Sequence, residues 1–344
     1  MSLKDFWYIV CETKDLKANQ VMGIALLDDW IALYRTSEGK ATAIKDRCLH
    51  RNARLSKGRV INGELVCPYH GWKYGDQGKL LGVPSEGAQH TPRASLCVPH
   101  FDVVENEGYV YVRLSGERVE EKLNSQPFSI PYFRQQGFQH IRLKHIFNAE
   151  VPNCAENFID IPHTTYVHPG VFRYEKQPQK IKAEVERENG NVHIRYQNET
   201  SNFGWFSKFL NPSNKEIYHE DHYYFPNITH VEYQFGHRMK FNITSQSIPV
   251  GPSKTVVYTD LTFDYGIWNW LARPFVYWAA KKIISQDVQI MGEQTQVIEK
   301  YGELFNSTRS DLHHIWIEKI YSDLRLNKDP RVVGNQKQNI EFFI

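Results

Sequence analysis

The chain has 344 residues, of which 41% are hydrophobic and 23% charged, with 41 Lys plus Arg against 39 Asp plus Glu. That length suits two domains, each with its own core, and the composition excludes a disordered or collagen-like chain. A net charge of +2 gives no electrostatic case for nucleic acid or an acidic partner.

The chain opens MSLKDFWYIVCETKD, where the apolar stretch Phe6 to Cys11 is shorter than a signal-peptide core and no small-residue cleavage site follows. Five cysteines, an odd number, do not read as a disulfide framework. A reducing, cytoplasmic setting is expected, so the Asn-x-Ser/Thr triplets at Asn198, Asn227, Asn242 and Asn306 carry no weight.

From Phe6 to about Arg113 the pattern predicts short strands: Gly23 to Leu27, Trp30 to Tyr34, Ala41 to Ile44, Glu64 to Cys67, Phe101 to Glu105 and Gly108 to Val112. Turn chemistry separates them at Ser37-Glu38-Gly39, Asn62-Gly63 and Asn106-Glu107-Gly108. A small all-β domain over residues 1–115 is expected, with the polar stretch Ser115 to Gln126 as linker.

Residues 116–344 mix strand-like runs (Asn191 to Tyr196, His230 to Phe235, Lys240 to Ile248, Thr255 to Phe263) with helical segments near Cys154 to Ile161 and Arg273 to Tyr301. This predicts an α+β domain, an antiparallel sheet packed against helices. The most apolar stretch, Gly266 to Ile284, is interrupted by Asn269, Arg273, Pro274, Lys281 and Lys282, so it does not predict a membrane span. Its aromatics suit a subunit contact or a core wall before a membrane surface, and membrane contact is not expected.

Two loops carry metal-ligand chemistry. Cys48-Leu49-His50 and, sixteen residues later, Cys67-Pro68-Tyr69-His70 each offer one thiolate and one imidazole from a single turn. A cluster with both cysteines on one iron and both histidines on the other needs that pairing, whereas structural zinc more often uses C-x-x-C pairs. CLHR-x(15)-CPYHGWKY resembles the [2Fe-2S] signature of Rieske oxygenases, and neither loop has the extra cysteine usual in respiratory Rieske proteins.

Further on, Asn157, Asp160 and His163 are spaced by three, which would set them along one helix face between Phe158 and Ile161. His168 lies five residues after His163, so both reach one ion only where the helix bends or ends, and Pro162 supplies a reason. A hydrogen-bonded structural histidine pair is the alternative.

A carboxylate to complete the set is found at Asp287, flanked at three and four residues by Ile283, Ile284, Ile290 and Met291. A buried acid needs a metal or a paired cation, and Glu293 points to another face. Two histidines and a carboxylate form a facial triad for mononuclear Fe(II).

The histidine segment resembles the catalytic helix of Rieske oxygenases, and QDVQIMGEQ the carboxylate segment of their demethylase and pheophorbide-oxygenase-like branch. The resemblance implies a helix-grip, START-like catalytic domain with His163, His168 and Asp287 as iron ligands. Asp160 would bridge to a cluster histidine of a neighbouring subunit, by the match His70, within a homotrimer, and Asn157 would sit beside the iron. It also implies dioxygen, a small hydrophobic substrate and an NAD(P)H-dependent reductase, possibly with a ferredoxin, since the chain has no G-x-G-x-x-G nucleotide turn. Phe203, Trp205, Phe206, Phe209 and Leu210 suit either a pocket lining or ordinary core. The rival readings are a Rieske-type electron carrier without oxygenase activity and a zinc-stabilised scaffold.

Overall fold

Three tight hairpins show how local sequence sets the strand pairing. Asn62-Gly63, Glu107-Gly108 and Asn189-Gly190 each place two consecutive residues at positive φ (52° and 81°, 50° and 82°, 49° and 82°). Two-residue turns of that hand match the twist of antiparallel strands, and each joins strands in direct register. The computed structural model describes residues 1–115, 126–169, 171, 179–197, 199, 211, 217–236 and 239–344. The body of the expected linker, residues 116–125, and the run Phe203, Trp205, Phe206, Phe209 and Leu210 lie outside them.

The chain divides into two units, Lys4–Ser129 and Ile130–Ile344 with Met1–Leu3. The first is all β: β1 (Tyr8–Glu12), β2 (Val21–Leu26), β3 (Asp29–Arg35), β4 (Ala41–Lys45), β5 (Arg59–Ile61), β6 (Glu64–Val66), β7 (Lys73–Tyr74), β8 (Leu80–Gly82), β9 (His100–Asn106) and β10 (Tyr109–Arg113). A six-stranded sheet runs β1-β10-β9-β4-β3-β2 and a four-stranded one β5-β6-β7-β8. Their common core holds Ala32, Tyr34 and Ile44 from the larger sheet with Leu65, Tyr74 and Leu80 from the smaller, and both Cys48 and Cys67 belong to it.

The second unit is α+β. Among the described residues its strands are β11 (Gln139–Phe147), β12 (Lys180–Glu188), β13 (Asn191–Gln197), β14 (Ile217–Tyr224), β15 (Ile228–Phe235), β16 (Met239–Gly251), β17 (Lys254–Asp264) and β18 (Gln336–Phe343). They form one antiparallel sheet ordered β11-β17-β16-β15-β14-β13-β12-β18.

Among the described residues four helices accompany the sheet: α1 (Val151–Ile159), α2 (His163–Val167), α3 (Asn269–Tyr301) and α4 (Leu312–Arg325). The inward residues of α3, Ala272, Val276 and Ala279, recur at helical spacing and pack with Ile141, Leu143, Leu261 and Phe263 of the sheet. A second cluster, Phe147, Cys154, Val257 and Met291 with Phe158 and Val288, joins α1 to α3 across the edge of the sheet. No helix among the described residues is long and apolar enough to cross a membrane.

Candidate functional site

In the first unit the two ligand loops have the same backbone construction. The Cys48 N–H donates to the Ala53 carbonyl (2.8 Å) and its carbonyl accepts from Asn52 (3.1 Å). Likewise the Cys67 N–H donates to Trp72 (2.8 Å) and its carbonyl accepts from Gly71 (3.1 Å). The residue four beyond each cysteine, Asn52 or Gly71, has positive φ (59° and 73°), a conformation that Asn and Gly tolerate. Each turn buries its cysteine and leaves its histidine nearer the surface.

The His50 and His70 rings lie 4.5 Å apart, and Trp72 stacks on His50 at 4.7 Å. The Tyr74 hydroxyl sits 3.2 Å from Cys48 Sγ and accepts the Leu49 N–H at 3.1 Å. Burial and the adjacent Cys48 sulfur push the Cys67 thiol up, against the backbone N–H groups of Tyr69 and His70. Two apposed buried thiols beneath two adjacent imidazoles fit a two-iron, two-sulfide cluster, and Tyr74 would give such a cluster a hydrogen bond to the Cys48 sulfur. The exposed Cys97 lies outside this set.

In the second unit the helix expected to carry Asn157, Asp160 and His163 along one face is broken. α1 ends at Ile159, Asp160 is extended (φ −89°, ψ 113°), and α2 starts at His163 after Pro162. Proline disfavours helix at the residue before it and removes an N–H, so the break falls ahead of His163. α2 in turn ends at Val167, leaving His168 non-helical (φ −119°, ψ 58°). Freed from the helix, Asp160 turns back and accepts the His163 N–H at 3.1 Å.

These two interruptions bring His163 and His168 to one point, and α3 supplies Asp287. One donor atom from each lies within 4.8 Å of the others. Asp287 Oδ1 is 3.0 Å from His168 Nε2 and 3.7 Å from His163 Nε2, and it is buried without a hydrogen-bond partner. Of the far nitrogens, His168 Nδ1 lies 2.9 Å from Gln286 Oε1, while His163 Nδ1 lies 3.3 Å from Asp160 Oδ2, an ion-pair distance without hydrogen-bond geometry.

Burial works to lower the His163 imidazole and to raise the Asp160 carboxyl. Their pairing outweighs it in both, so His163 is more basic and Asp160 more acidic than usual. A buried carboxylate oxygen facing two imidazole nitrogens fits a divalent ion bound by two histidines and one carboxylate. No arginine pairs with Asp287 among the described residues, and Glu293 is exposed and bonded to Gln289.

A cavity of about 140 Å³ adjoins this triad. Its wall is mostly apolar, including Phe158, Val231, Phe241, Leu261 and Ile283, and Asn157 lines it with its Oδ1 buried and unpartnered.

Two groups here escaped the sequence reading. His219, in the cavity wall, has Nδ1 2.8 Å from Glu199 Oε2 and Nε2 3.0 Å from Asp221 Oδ1, while Tyr196 donates to Asp221 Oδ2 (2.9 Å). His219 and Asp221 stand one residue apart on β14, so both point inward, and that alternation was the available signal. His313 and His314 open α4 and gather with Asp160 within 4.8 Å. His314 Nδ1 is 2.7 Å from Glu156, and both nitrogens of the buried His313 lack partners.

Residues 6–102 match the Rieske [2Fe-2S] domain, and residues 147–315 match the vanillate O-demethylase oxygenase C-terminal domain. Among curated proteins, methylxanthine N1-demethylase NdmA of Pseudomonas putida is 29% identical over 203 residues, 56% of this chain and 55% of that protein. Protein TIC 55 of Arabidopsis thaliana is 32% identical over 165 residues, 47% of this chain and 30% of that protein. The vanillate O-demethylase oxygenase subunit of a Pseudomonas strain is 30% identical over 48% of this chain and 45% of its own. The chain thus spans about half the length, or less, of these curated relatives.

In three dimensions, dicamba monooxygenase bound to dicamba superposes with a TM-score of 0.78 at 19% identity, covering 94% of this chain and 98% of its own. NdmA with theobromine gives 0.75 at 20%, covering 96% and 93%. Fold and donor sets together define a protein with one iron-sulfur centre and one mononuclear non-haem iron centre. The chain carries a Rieske [2Fe-2S] domain followed by a domain of the vanillate O-demethylase oxygenase type, the domain pair of Rieske-type oxygenases.

Proposed function

We propose that the chain is the terminal oxygenase of a multi-component system that hydroxylates or oxidatively demethylates a small hydrophobic or aromatic substrate. The observation that carries this reading is the convergence of His163, His168 and Asp287 beside a mostly apolar cavity. An electron carrier has no use for such a triad.

Iron at the triad would supply dioxygen activation, with electrons from a [2Fe-2S] cluster on Cys48, His50, Cys67 and His70. The chain's own residues do the positioning. Gln286 holds His168 Nδ1, and Asp160 accepts the His163 backbone N–H with its carboxylate 3.3 Å from Nδ1, so that both Nε2 atoms face Asp287, an orientation set before metal arrives. The apolar wall takes up substrate and displaces water, and the unpartnered Asn157 Oδ1 offers an acceptor beside the triad.

The cluster domain is assigned to the first unit, which extends past the boundary expected at residue 115 to Ser129, and the catalytic domain to Ile130–Ile344. Electrons come from a separate NAD(P)H-dependent reductase, with or without a ferredoxin, in the cytoplasm. In a homotrimer each Asp160 would meet the partner subunit's His70 and carry the electron inward, an assignment that rests on family resemblance. Iron and acid-labile sulfide analysis tests the reading: three irons and two sulfides per chain are expected, whereas two and two would make the protein an electron carrier.

A further inference from the structure

The outward face of α3 and of the Gly266–Trp268 turn that leads into it is not used by the oxygenase reading. Ile267, Trp268, Trp270, Leu271, Tyr277 and Trp278 are between 45% and 82% exposed. Single exposed apolar side chains are ordinary, but six within twelve residues form a patch that calls for a partner. On the inward face, Ala272, Val276 and Ala279 are buried in the core, and Ala280, Ile283 and Ile284 line the cavity. The helix is therefore apolar on both sides over this stretch, and only one side is covered among the described residues.

Along the patch itself the charges have one sign, Asp264 at its start being held by the Gly266 N–H. Arg273, Lys281 and Lys282 are exposed on the same face, and no Asp or Glu occurs between Tyr265 and Gln286. The Lys282 ammonium lies 5.8 Å from the Trp278 ring centroid, close enough for its stem to follow the aromatic surface. Lysines are depleted at the centre of protein interfaces. Tryptophan and tyrosine flanked by cations are instead the residues of a headgroup boundary. Trp278, the patch residue nearest Asp287, stands nine residues before it, roughly 14 Å along the helix, so surface contact would leave the triad untouched.

We propose that this face seats the protein on an anionic membrane surface, with Trp268, Trp270 and Trp278 at the boundary of headgroups and acyl chains. Arg273, Lys281 and Lys282 pair with lipid phosphates. The contact is peripheral, and it stands or falls independently of the reaction the protein catalyses.

Flotation of the full chain, iron centres loaded, with vesicles of phosphatidylcholine alone or mixed with phosphatidylglycerol tests this. The protein is expected to float with the mixed vesicles at low salt, and far less with pure phosphatidylcholine or at high salt. The triple variant Trp268→Ser, Trp270→Ser, Trp278→Ser and the triple variant Arg273→Glu, Lys281→Glu, Lys282→Glu should each cut the bound fraction about tenfold or more. The spectrum of the reduced cluster should be unchanged in both. Failure to bind the mixed vesicles at low salt, or wild-type binding by either variant, overturns the proposal. So does a fall in oligomer mass in the tryptophan variant with vesicle binding intact, which would assign the face to a second copy of the chain.

Discussion

Gln286 Oε1 lies 2.9 Å from His168 Nδ1, which fixes the proton on that nitrogen and leaves Nε2 to face Asp287 Oδ1 at 3.0 Å. Adjacent residues of α3 thus hold opposite sides of one imidazole. Replacing Gln286 by leucine keeps the bulk and removes the acceptor, so Fe(II) affinity at the triad should fall about 10–100-fold. Equilibrium dialysis of the cluster-loaded protein against ferrous ion measures it. Unchanged affinity would show that the ring is oriented by packing alone.

Asp287→Ala removes the one carboxylate among the donors. It should lower the iron content by one per chain while the sulfide content and the reduced cluster's spectrum persist. If iron content and oxygen consumption both match the wild type, the carboxylate ligand lies elsewhere. The substitution also relieves a buried acid of its desolvation cost, so a protein no less heat-stable than wild type, measured without added iron, is expected.

Most of the site was legible because its chemistry needs residue types at fixed spacing. Both cluster loops carry their cysteine and histidine within one turn, and Asp287 was visible as an acid in an apolar helical stripe. The break before His163 was not foreseen at its true position, since the three-residue spacing of Asn157, Asp160 and His163 mimics a helix face and Pro162 decides only locally. The strands that were predicted lie within two or three residues of the observed ones, but β1, β11, β12 and β14 were missed, although β12 and β14 alternate in burial along their length. The very short β5, β7 and β8, and the polar edge strand β18, carry too little alternation to detect. Gln286 and His313 owe their roles to neighbours distant in sequence, which no local pattern records, whereas His219 was signalled only by its alternation with Asp221 on β14.

Tyr74→Phe should lower the reduction potential of the cluster. The hydroxyl lies 3.2 Å from Cys48 Sγ, and a hydrogen bond to a ligating sulfur favours the reduced, more negative state. A bond worth about 1 kcal/mol corresponds to a fall of roughly 40 mV for a one-electron couple. Redox titration followed by electron paramagnetic resonance reads the shift, and an unchanged or raised potential would contradict it.

Phe147 is fully buried and meets Phe158 edge to face, with centroids 5.5 Å apart. Its cluster joins α1, which leads to Asp160 and His163, to α3, which carries Asp287. Phe147→Ala should cost about 3–5 kcal/mol of stability and weaken iron retention, because the two halves of the triad lose their common packing. Denaturant unfolding of the variant, with iron measured after chelator dialysis, checks both effects. Loss of stability with full iron retention would mean that the triad is held without this contact.

His219 gives the cavity wall a pH dependence whose sign can be worked out. Both its nitrogens face carboxylates, so the ring is doubly protonated in the fold. Burial opposes the charge, but Asp221 and Glu199 overcome it and push the imidazole up to about 9 from an ordinary 6.5. A folded value above the unfolded one stabilises the protein fully below about pH 6.5, and that stabilisation is lost as the pH rises through about 9. The melting temperature of the wild type should therefore fall between about pH 7 and pH 10. His219→Gln, which cannot carry the charge, should be less stable at neutral pH and show a flatter profile over that range. Parallel curves for the two proteins would mean that the ring is neutral in the fold and that one of its carboxyl partners holds the proton.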